Sequence, residues 1–365
     1  MHLHSHFLRM NTISNIYLVR RLFANQDNGS VFGQFGTPET FEAVEGGDGG
    51  IAMIDYKSDP KYIIYYTSIQ LGKESYVMKR DKNSGALLDR LIVPALDCNA
   101  AFVPVATMNP ADQRNFAIGV GDKTSPDCVP GSAMFYMRHD YLPYTSKIFP
   151  VFPHGYNSIT AMEFSSDGKY LYAASKREKN QWAVAQCTID LGTGFPQECH
   201  IVGSETTSEV TVITRIAVDP KNSDHVVLIT VEHDSYSKPQ VFESTDGGEN
   251  WTDITGPVLA KAYSGQAVTF LGNKDSSLSF LVAGTSDGIY VLNSKDWELL
   301  GDKTPTVPIR SMTYSSEDDR LVIATLGRGI WHLEHAYRGA CNLVNGDGEN
   351  CDITAEGDTN ETLFE

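Results

Sequence analysis

A unit of one strand, one turn and a second strand recurs along this chain at intervals of roughly 40–50 residues. In the clearest copy, the apolar run 160–164 leads through Ser166, Asp167 and Gly168 into the alternating run 170–174. A unit of this size is too small to bury its own apolar residues, so neighbouring copies must pack against one another. The repeat therefore restricts the chain to an array of small antiparallel sheets.

Six copies of the unit are recognisable, and residues 16–46 look like the outer part of a seventh. The first strands are predicted at 51–55, 102–106, 160–164, 214–218, 265–270 and 309–314. The second strands are predicted at 62–67, 115–120, 170–174, 226–230, 278–284 and 321–325. Alternation with period two favours strands throughout, and no window predicts a helix. Several second strands end in small residues, among them Ala173, Gly284 and Thr325, which suits strands that converge on a crowded centre.

The octapeptide 244–251 predicts a tight turn between two antiparallel strands. The carboxylate of Asp246 can accept backbone N–H groups beside Ser244, and Gly248 can take the positive φ that other residues resist. Trp251 can then fold back as an apolar plug against the neighbouring sheet, because of its large apolar area. These residues predict a hairpin between the outer strands of one unit, and they predict no reaction.

The octapeptide fits the Asp-box pattern Ser-x-Asp-x-Gly-x-x-Trp, and two further stretches carry a family likeness. Residues 25–50 look like a decayed box in which Phe41 stands in the place of Trp251, and residues 325–331 place a Gly-Arg-Gly turn before an apolar strand. On these stretches the chain resembles the Asp-box (BNR-repeat) β-propellers, the group that holds sortilin-type receptor domains and family-74 xyloglucanases.

The resemblance implies an all-β fold, a single β-propeller of seven four-stranded blades whose first and last blades close the ring. We expect three segments in the chain. Residues 1–15 are predicted to be a disordered N-terminal segment, 16–336 the Asp-box propeller, and 337–365 an acidic, disulfide-containing tail that is largely disordered.

The six cysteines form three pairs that are close in sequence. The spacing predicts the disulfides Cys98–Cys128, Cys187–Cys199 and Cys341–Cys351, with isolated buried thiols as the alternative. No Cys-x-x-Cys pair is present to support a zinc ribbon. Free thiols would instead fit an intracellular assembly factor.

Charge and hydropathy exclude two classes of partner. The net charge of −17 repels phosphate backbones, so no nucleic-acid partner is expected. No apolar run approaches the roughly 18 residues that span a bilayer, so no membrane span is expected.

Several weak features concern the location of the protein. Three sequons, at Asn28, Asn250 and Asn360, are compatible with a secreted glycoprotein. The apolar stretch 16–19 is too short for the core of a signal peptide. We expect an extracellular or lumenal protein whose signal lies upstream of this sequence or whose start is misassigned.

No complete catalytic constellation is recognisable in the sequence. A sialidase needs three arginines around the substrate carboxylate, and nothing marks Arg215, Arg310 and Arg328 as convergent. A Gly-x-Ser-x-Gly elbow is absent. The sequence therefore favours a non-catalytic propeller that binds a protein or glycan ligand through loops on one face of the central channel. The expected binding residues are Gln26, Asp27, Asp48 and Arg328.

The alternative is a glycoside hydrolase or a polysaccharide lyase. An inverting glycosidase needs two carboxylates about 6.5–9.5 Å apart. Asp48, in the glycine-rich segment 46–50, is the first candidate and Asp27 is the second. The favoured interpretation of Asp48 is that it caps the turn between two units without taking part in any reaction.

The acidic tail contains a calcium-like pattern. Asn345, Asp347, Glu349 and Glu356 place oxygen ligands at positions 1, 3, 5 and 12 of such a loop. Position 6, which should be glycine, is Asn350. An acidic disulfide loop without metal is therefore the alternative, and no other cofactor is expected.

Overall fold

The computed structural model describes residues 6–13, 19–26, 29–35, 40–45, 49–69, 75–93, 105–120, 129–139, 144–177, 181–206, 211–232, 238–294, 296–301, 304, 306–346 and 351. These residues form seven antiparallel sheets, each built from strands that are consecutive in the chain.

The strands of sheets 1 to 3 are β1 (His6–Ile13), β2 (Val19–Gln26), β3 (Gly29–Phe35) and β4 (Thr40–Glu45); β5 (Gly49–Asp55), β6 (Tyr62–Ile69), β7 (Ser75–Asp81) and β8 (Leu87–Val93); and β9 (Ala106–Met108), β10 (Asn115–Gly119), β11 (Ser132–Arg138) and β12 (Tyr144–Pro150). Sheets 4 and 5 contain β13 (Tyr156–Phe164), β14 (Tyr170–Arg177), β15 (Gln181–Ile189) and β16 (Pro196–Thr206); and β17 (Thr211–Asp219), β18 (Asn222–Glu232), β19 (Gln240–Ser244) and β20 (Thr252–Asp253). Sheets 6 and 7 contain β21 (Ala267–Gly272), β22 (Ser279–Thr285), β23 (Gly288–Leu292) and β24 (Trp297–Leu299); and β25 (Ile309–Ser315), β26 (Arg320–Thr325) and β27 (Ile330–Glu334). Two helices complete the fold, α1 (Gly256–Leu259) between sheets 5 and 6 and α2 (Ala336–Asn345) after sheet 7.

The sheets are arranged as a ring. The first strand of each sheet contacts the first strand of the next, and β1 contacts β25. The chain is therefore a single β-propeller, closed by packing of the first sheet against the last. The predicted all-β class and ring closure are confirmed.

The predicted number of four-stranded blades is wrong. Among the described residues the structure has six of them, not seven, because the strands described in sheet 7 are β25, β26 and β27. After β27 the chain continues as helix α2. Asp319 lies at the start of this helix, where its carboxylate accepts hydrogen bonds from the N–H groups of Tyr337 (2.6 Å) and Arg338 (3.3 Å). The buried face of the helix, including Tyr337 and Cys341, packs against sheets 6 and 7.

Both ends of the chain differ from the predicted boundaries. Strand β1 lies inside segment 1–15, which was expected to be disordered, and α2 lies almost entirely inside tail 337–365. Pairing with β2 satisfies the backbone groups of β1, so that sheet 1 has four strands rather than only the outer part of a unit. The predicted strand 102–106 falls mostly outside the described residues, and its described part begins β9 at Ala106.

Apolar contacts between neighbouring sheets form the core. Each of six buried clusters combines residues of two adjacent sheets, from Phe32 and Tyr65 between sheets 1 and 2 to Ile289 and Leu321 between sheets 6 and 7. The small residues at the ends of second strands permit this close approach. A Cβ atom on Gly284 would lie 2.7 Å from Cγ2 of Ile309.

The octapeptide 244–251 forms the hairpin between β19 and β20, which are the third and fourth strands of sheet 5. The hydroxyl of Ser244 donates to Oδ1 of Asp246 (2.7 Å) and accepts from the N–H of Gly248 (2.8 Å). Gly248 has φ +98°, as expected. Trp251 reaches back to sheet 4, where its ring meets Trp182 edge-on at 6.3 Å. The turn therefore joins two sheets.

Two of the predicted cysteine pairs lie at disulfide distance, Cys187–Cys199 between β15 and β16 and Cys341–Cys351 at the end of α2. The predicted pair Cys98–Cys128 lies outside the described residues. Within the described part of the chain, no helix is long and apolar enough to cross a membrane.

Polar contacts also connect neighbouring sheets. Buried Arg138 of sheet 3 pairs with buried Asp55 of sheet 2. Between sheets 5 and 6, Ser279 donates to Asp219 (2.7 Å), and Asp219 also contacts Nδ1 of His225 (2.9 Å). The other ring nitrogen of His225 lies 2.8 Å from Glu243.

We expect Gly203→Ala to destabilise the protein through Trp251. A Cβ atom at position 203 of β16 would overlap the indole Nε1 of Trp251, so the indole must move out of its place on sheet 4. Overpacking of this kind costs about 1–3 kcal/mol of the free energy of unfolding. Denaturant unfolding measures this loss. In a Trp251→Ala background the same substitution should cost much less, and equal costs in both backgrounds would contradict the contact.

We expect stability to fall as the pH rises from about 6.5 to 9. Burial lowers the pKa of His225, but the hydrogen bonds and negative charges of Asp219 and Glu243 outweigh it and raise the pKa to about 9. The unfolded state titrates near pH 6.5, so the stabilisation is complete below about pH 6.5 and is lost as the pH passes the folded pKa. Because the side chain is 20% exposed, solvent screening limits the loss to about 1–2 kcal/mol.

Thermal unfolding across this pH range tests the expectation. His225→Gln should remove most of the decline, whereas the control His154→Gln, at an exposed position, should keep it. A decline of equal size in both variants would show that His225 is not responsible.

Candidate functional site

A cavity of about 450 Å³ lies at the centre of the ring. The first strands of sheets 2 to 7 line it, and so do residues that follow those strands, such as Tyr56, Gln113, Ser166 and Glu317. The cavity therefore extends from the middle of the channel towards the face where the inner strands end.

Arg215 lies at the inner end of this cavity and spans two sheets. Its side chain starts from β17 in sheet 5, and Nη2 donates to Oγ of Ser311 (3.2 Å) and to the carbonyl of Arg310 (3.5 Å) in sheet 7. Burial lowers the pKa of Arg215, and the nearby carboxylate of Glu163 opposes that shift. An arginine keeps its charge in a protein, so the channel holds an enclosed guanidinium.

Four other sheets have a small residue at the position equivalent to Arg215. Equivalence is defined by strand pairing: each of these first-strand residues pairs with the second-strand residue that directly precedes a buried Ser or Thr. These residues are Ala52, Ala161, Ala267 and Ser311. Arg215 itself pairs with Ile229, before Thr230. Among these five sheets, only sheet 5 therefore has a long charged side chain at this position.

Further polar contacts surround the inner end of the channel. Nη1 of Arg310 hydrogen-bonds to Oε1 of Gln266, and the hydroxyl of Thr214 donates to the carbonyl of Gln266 (3.3 Å). Thr214, Gln266 and Arg310 come from three consecutive sheets, so this network links their inner strands.

The outer part of the cavity carries a second polar group. Burial raises the pKa of Tyr56, and the charge and hydrogen bond of Glu317 raise it further, so this phenol stays neutral. The side chain of Gln113 lies beside it, where Oε1 accepts the N–H groups of Tyr56 (2.9 Å) and Lys57 (3.1 Å). Gln113 thereby fixes the turn after β5 at the rim of the cavity.

Most of the binding and catalytic residues predicted from sequence lie outside the described residues. Asp27 and Asp48 are among these, and so are Asp347, Glu349 and Glu356 of the calcium-like pattern. Gln26 is the last residue of β2, and its side chain is outside the described part. Asn345 is the exposed last residue of α2. In the part of the chain that the structure describes, no group of three or more His, Cys, Asp or Glu side chains could hold a metal ion.

Arg328 is described, and it lies in the turn between β26 and β27. Gly327 and Gly329 on either side have φ +86° and +80°, and the carbonyl of Arg328 accepts from Nε1 of Trp331 (2.9 Å). Arg328 does not line the cavity. The structure instead brings together Arg215, Arg310 and Glu163. From the sequence, the two arginines could be considered, but Glu163 could not be identified.

One signal in the sequence could have identified Arg215. Aligned on their second strands, the repeats of sheets 2, 4, 6 and 7 have alanine or serine where sheet 5 has arginine, so Arg215 departs from the pattern of these four repeats. No comparable signal marks Glu163, Tyr56 or Glu317, because their positions at the cavity depend on how separate sheets face the channel.

Comparison with solved structures shows the fold. The β-propeller domain of Myceliophteria thermophila Cps50 (Swd1) is 13% identical, with a TM-score of 0.53 over 88% of this chain and 98% of that one. The Dos1 propeller is 11% identical, with a TM-score of 0.53 over 87% of this chain and 76% of that one. The extracellular domain of the putative one-component system BT4673 from B. thetaiotaomicron is 11% identical, with a TM-score of 0.52 over 90% and 38% of the two chains.

These identities are low, so the likeness extends to the β-propeller fold alone. No protein-family model matches the chain, and comparison with curated proteins gave no match. Kinship with the Asp-box propellers, and with sortilin-type or family-74 proteins in particular, thus stays a resemblance of motifs.

We expect Gln113→Ala to loosen the rim of the cavity. The substitution removes the shared acceptor of two partly buried N–H groups, and an unsatisfied donor costs about 1–3 kcal/mol. Hydrogen exchange at Tyr56 and Lys57 should accelerate, and the free energy of unfolding should fall. Gln113→Glu keeps an acceptor oxygen and serves as the control; unchanged exchange in Gln113→Ala would contradict the assigned role.

Proposed function

We propose that this protein is a non-catalytic β-propeller that binds a protein or carbohydrate ligand, and that the ligand, or one group of it, enters the channel cavity. The observation that supports this most is the cavity itself. Its volume of about 450 Å³ lies within the roughly 300–1,000 Å³ range of small-ligand sites.

The chemistry of the wall supports the same proposal. Apolar residues such as Met108 and Phe270 alternate with polar ones such as Thr269 and Thr313 along the lining. Ligand pockets commonly combine an apolar wall with a few placed polar groups. A saccharide ring, with one apolar face and a rim of hydroxyls, fits this mixture.

The loops expected around Gln26, Asp27, Asp48 and Arg328 are the second proposed location for the ligand. Connections between strands vary freely without disturbing the sheets, so binding residues often lie on them. An extracellular or lumenal location is part of the proposal, and the two cysteine pairs at disulfide distance are compatible with it.

We expect Thr269→Trp to block binding if the ligand occupies the channel. Thr269 lines the cavity from β21, and an indole there would fill much of the space without replacing a core residue. Binding of the purified protein to an array of neutral and acidic glycans, followed by titration of the hits, measures the effect. Thr269→Val, which keeps the size of the side chain, is the matched control.

Arg328→Ala tests the loop location in the same assay. Loss of binding in Thr269→Trp but not in Arg328→Ala supports the channel, and the reverse result places the ligand on the loops. Hydrolysis of a polysaccharide in a parallel panel, abolished by Asp48→Asn, would overturn the non-catalytic proposal.

A further inference from the structure

The inner end of the channel contrasts with the rest of the molecule in charge. The chain as a whole carries −17, yet the guanidinium of Arg215 lies here, bonded to the uncharged carbonyl oxygen of Arg310 and near the carboxylate of Glu163. An enclosed charge is costly unless partners replace the water that it loses. The contacts of Arg215 therefore indicate what kind of group the channel can accept.

The hydrogen bonds of Arg215 leave most of its donors unused. A guanidinium has five N–H donors, and in the described part of the chain only Nη2 of Arg215 donates, to a hydroxyl and to a carbonyl oxygen. Neither acceptor is charged. Arg215 lines a cavity with room for a ligand.

We propose that the inner end of the channel binds an anionic group of the ligand, a carboxylate or a phosphate, through the guanidinium of Arg215. This inference rests on the proposed function, since it takes the cavity to be the ligand site. A planar guanidinium can donate two parallel hydrogen bonds to either group, which fixes orientation as well as charge.

The neighbouring residues support this assignment. Ser311 and Arg310 hold Nη2 from sheet 7, so the guanidinium is oriented before any ligand arrives. The equivalent positions in sheets 4 and 6 are Ala161 and Ala267, so those two sheets form with a small residue at this place. A donor that its neighbours already hold in place is typical of a binding site.

Glu163 is expected to affect anion binding in the opposite direction to Arg215. Its carboxylate acts on Arg215 electrostatically and would repel an anion bound at the same guanidinium. Removal of that charge should therefore tighten anion binding, whereas a purely structural Glu163–Arg215 pair gives no reason for any gain.

Two matched pairs of probes test the proposal by isothermal titration calorimetry. Galacturonate is compared with galactose, and glucose 6-phosphate with glucose, so that each pair differs mainly in its charged group. We expect one acid to bind at least tenfold more tightly than its neutral parent, because a hydrogen bond between charged partners lowers the dissociation constant by about tenfold or more. Which of the two acids binds distinguishes a carboxylate site from a phosphate site.

Three variants of the full chain complete the test. Arg215→Gln should weaken binding of the acid about tenfold or more, while Arg114→Gln, at an exposed arginine paired with Asp112, should leave it unchanged. Glu163→Gln should strengthen binding several-fold. This gain cannot result from partial unfolding, so it keeps the proposal testable even if Arg215→Gln folds poorly.

The outcomes separate this inference from the proposed function. If neutral sugars bind as tightly as the acids, or if Arg215→Gln binds the acid normally, the anion site is refuted while a ligand-binding channel stands. If neither acid binds but a glycan from the array does so in a manner that Thr269→Trp blocks, the same conclusion follows. If no probe binds and the array is also negative, both proposals fail.

Discussion

The burial of apolar side chains between neighbouring sheets is the interaction on which the rest of the molecule depends. Among the described residues, each of the six main buried clusters draws its members from two neighbouring sheets, so the sheets share their cores. Tyr65 is covered by Phe32 of the preceding sheet, and Trp182 by Phe242 of the following one. Sheets that can only be stable side by side must continue until the last meets the first, and this requirement produces both the ring and the space at its centre.

Turns whose hydrogen bonds join residues close in sequence could be predicted from the sequence. Contacts between residues far apart in the chain could not. The hairpin of Ser244 and Trp251 formed as expected because its hydrogen bonds join residues within a few positions of one another. Helix α2 could not be foreseen in the same way, since Asp319, which binds its first N–H groups, belongs to a preceding turn. The contact between Asp319 and the start of α2 joins residues that are distant in sequence, and the repeat pattern of the sequence does not predict it.

The candidate site illustrates the same limit. Arg215 and Arg310 are 95 residues apart, and only the curvature of the ring brings the guanidinium of one to the carbonyl of the other. The alternation of residues along β17 assigns Arg215 to one side of its sheet, but the sequence does not say that this side opens onto a channel. Comparison among the repeats does identify the position, because arginine replaces small residues there.

The closure of the ring through β1 and β25 has a consequence for the order of assembly. Every other boundary between sheets joins segments that follow one another in the chain, so forming it closes only a short loop. The boundary between sheets 1 and 7 joins the two ends of the fold, and the entropy lost on closing a loop grows with its length. The contact between sheets 1 and 7 should therefore be the last to form and the first to open. Local unfolding would begin there, and a protease or a chaperone would first gain access to the interior at this boundary.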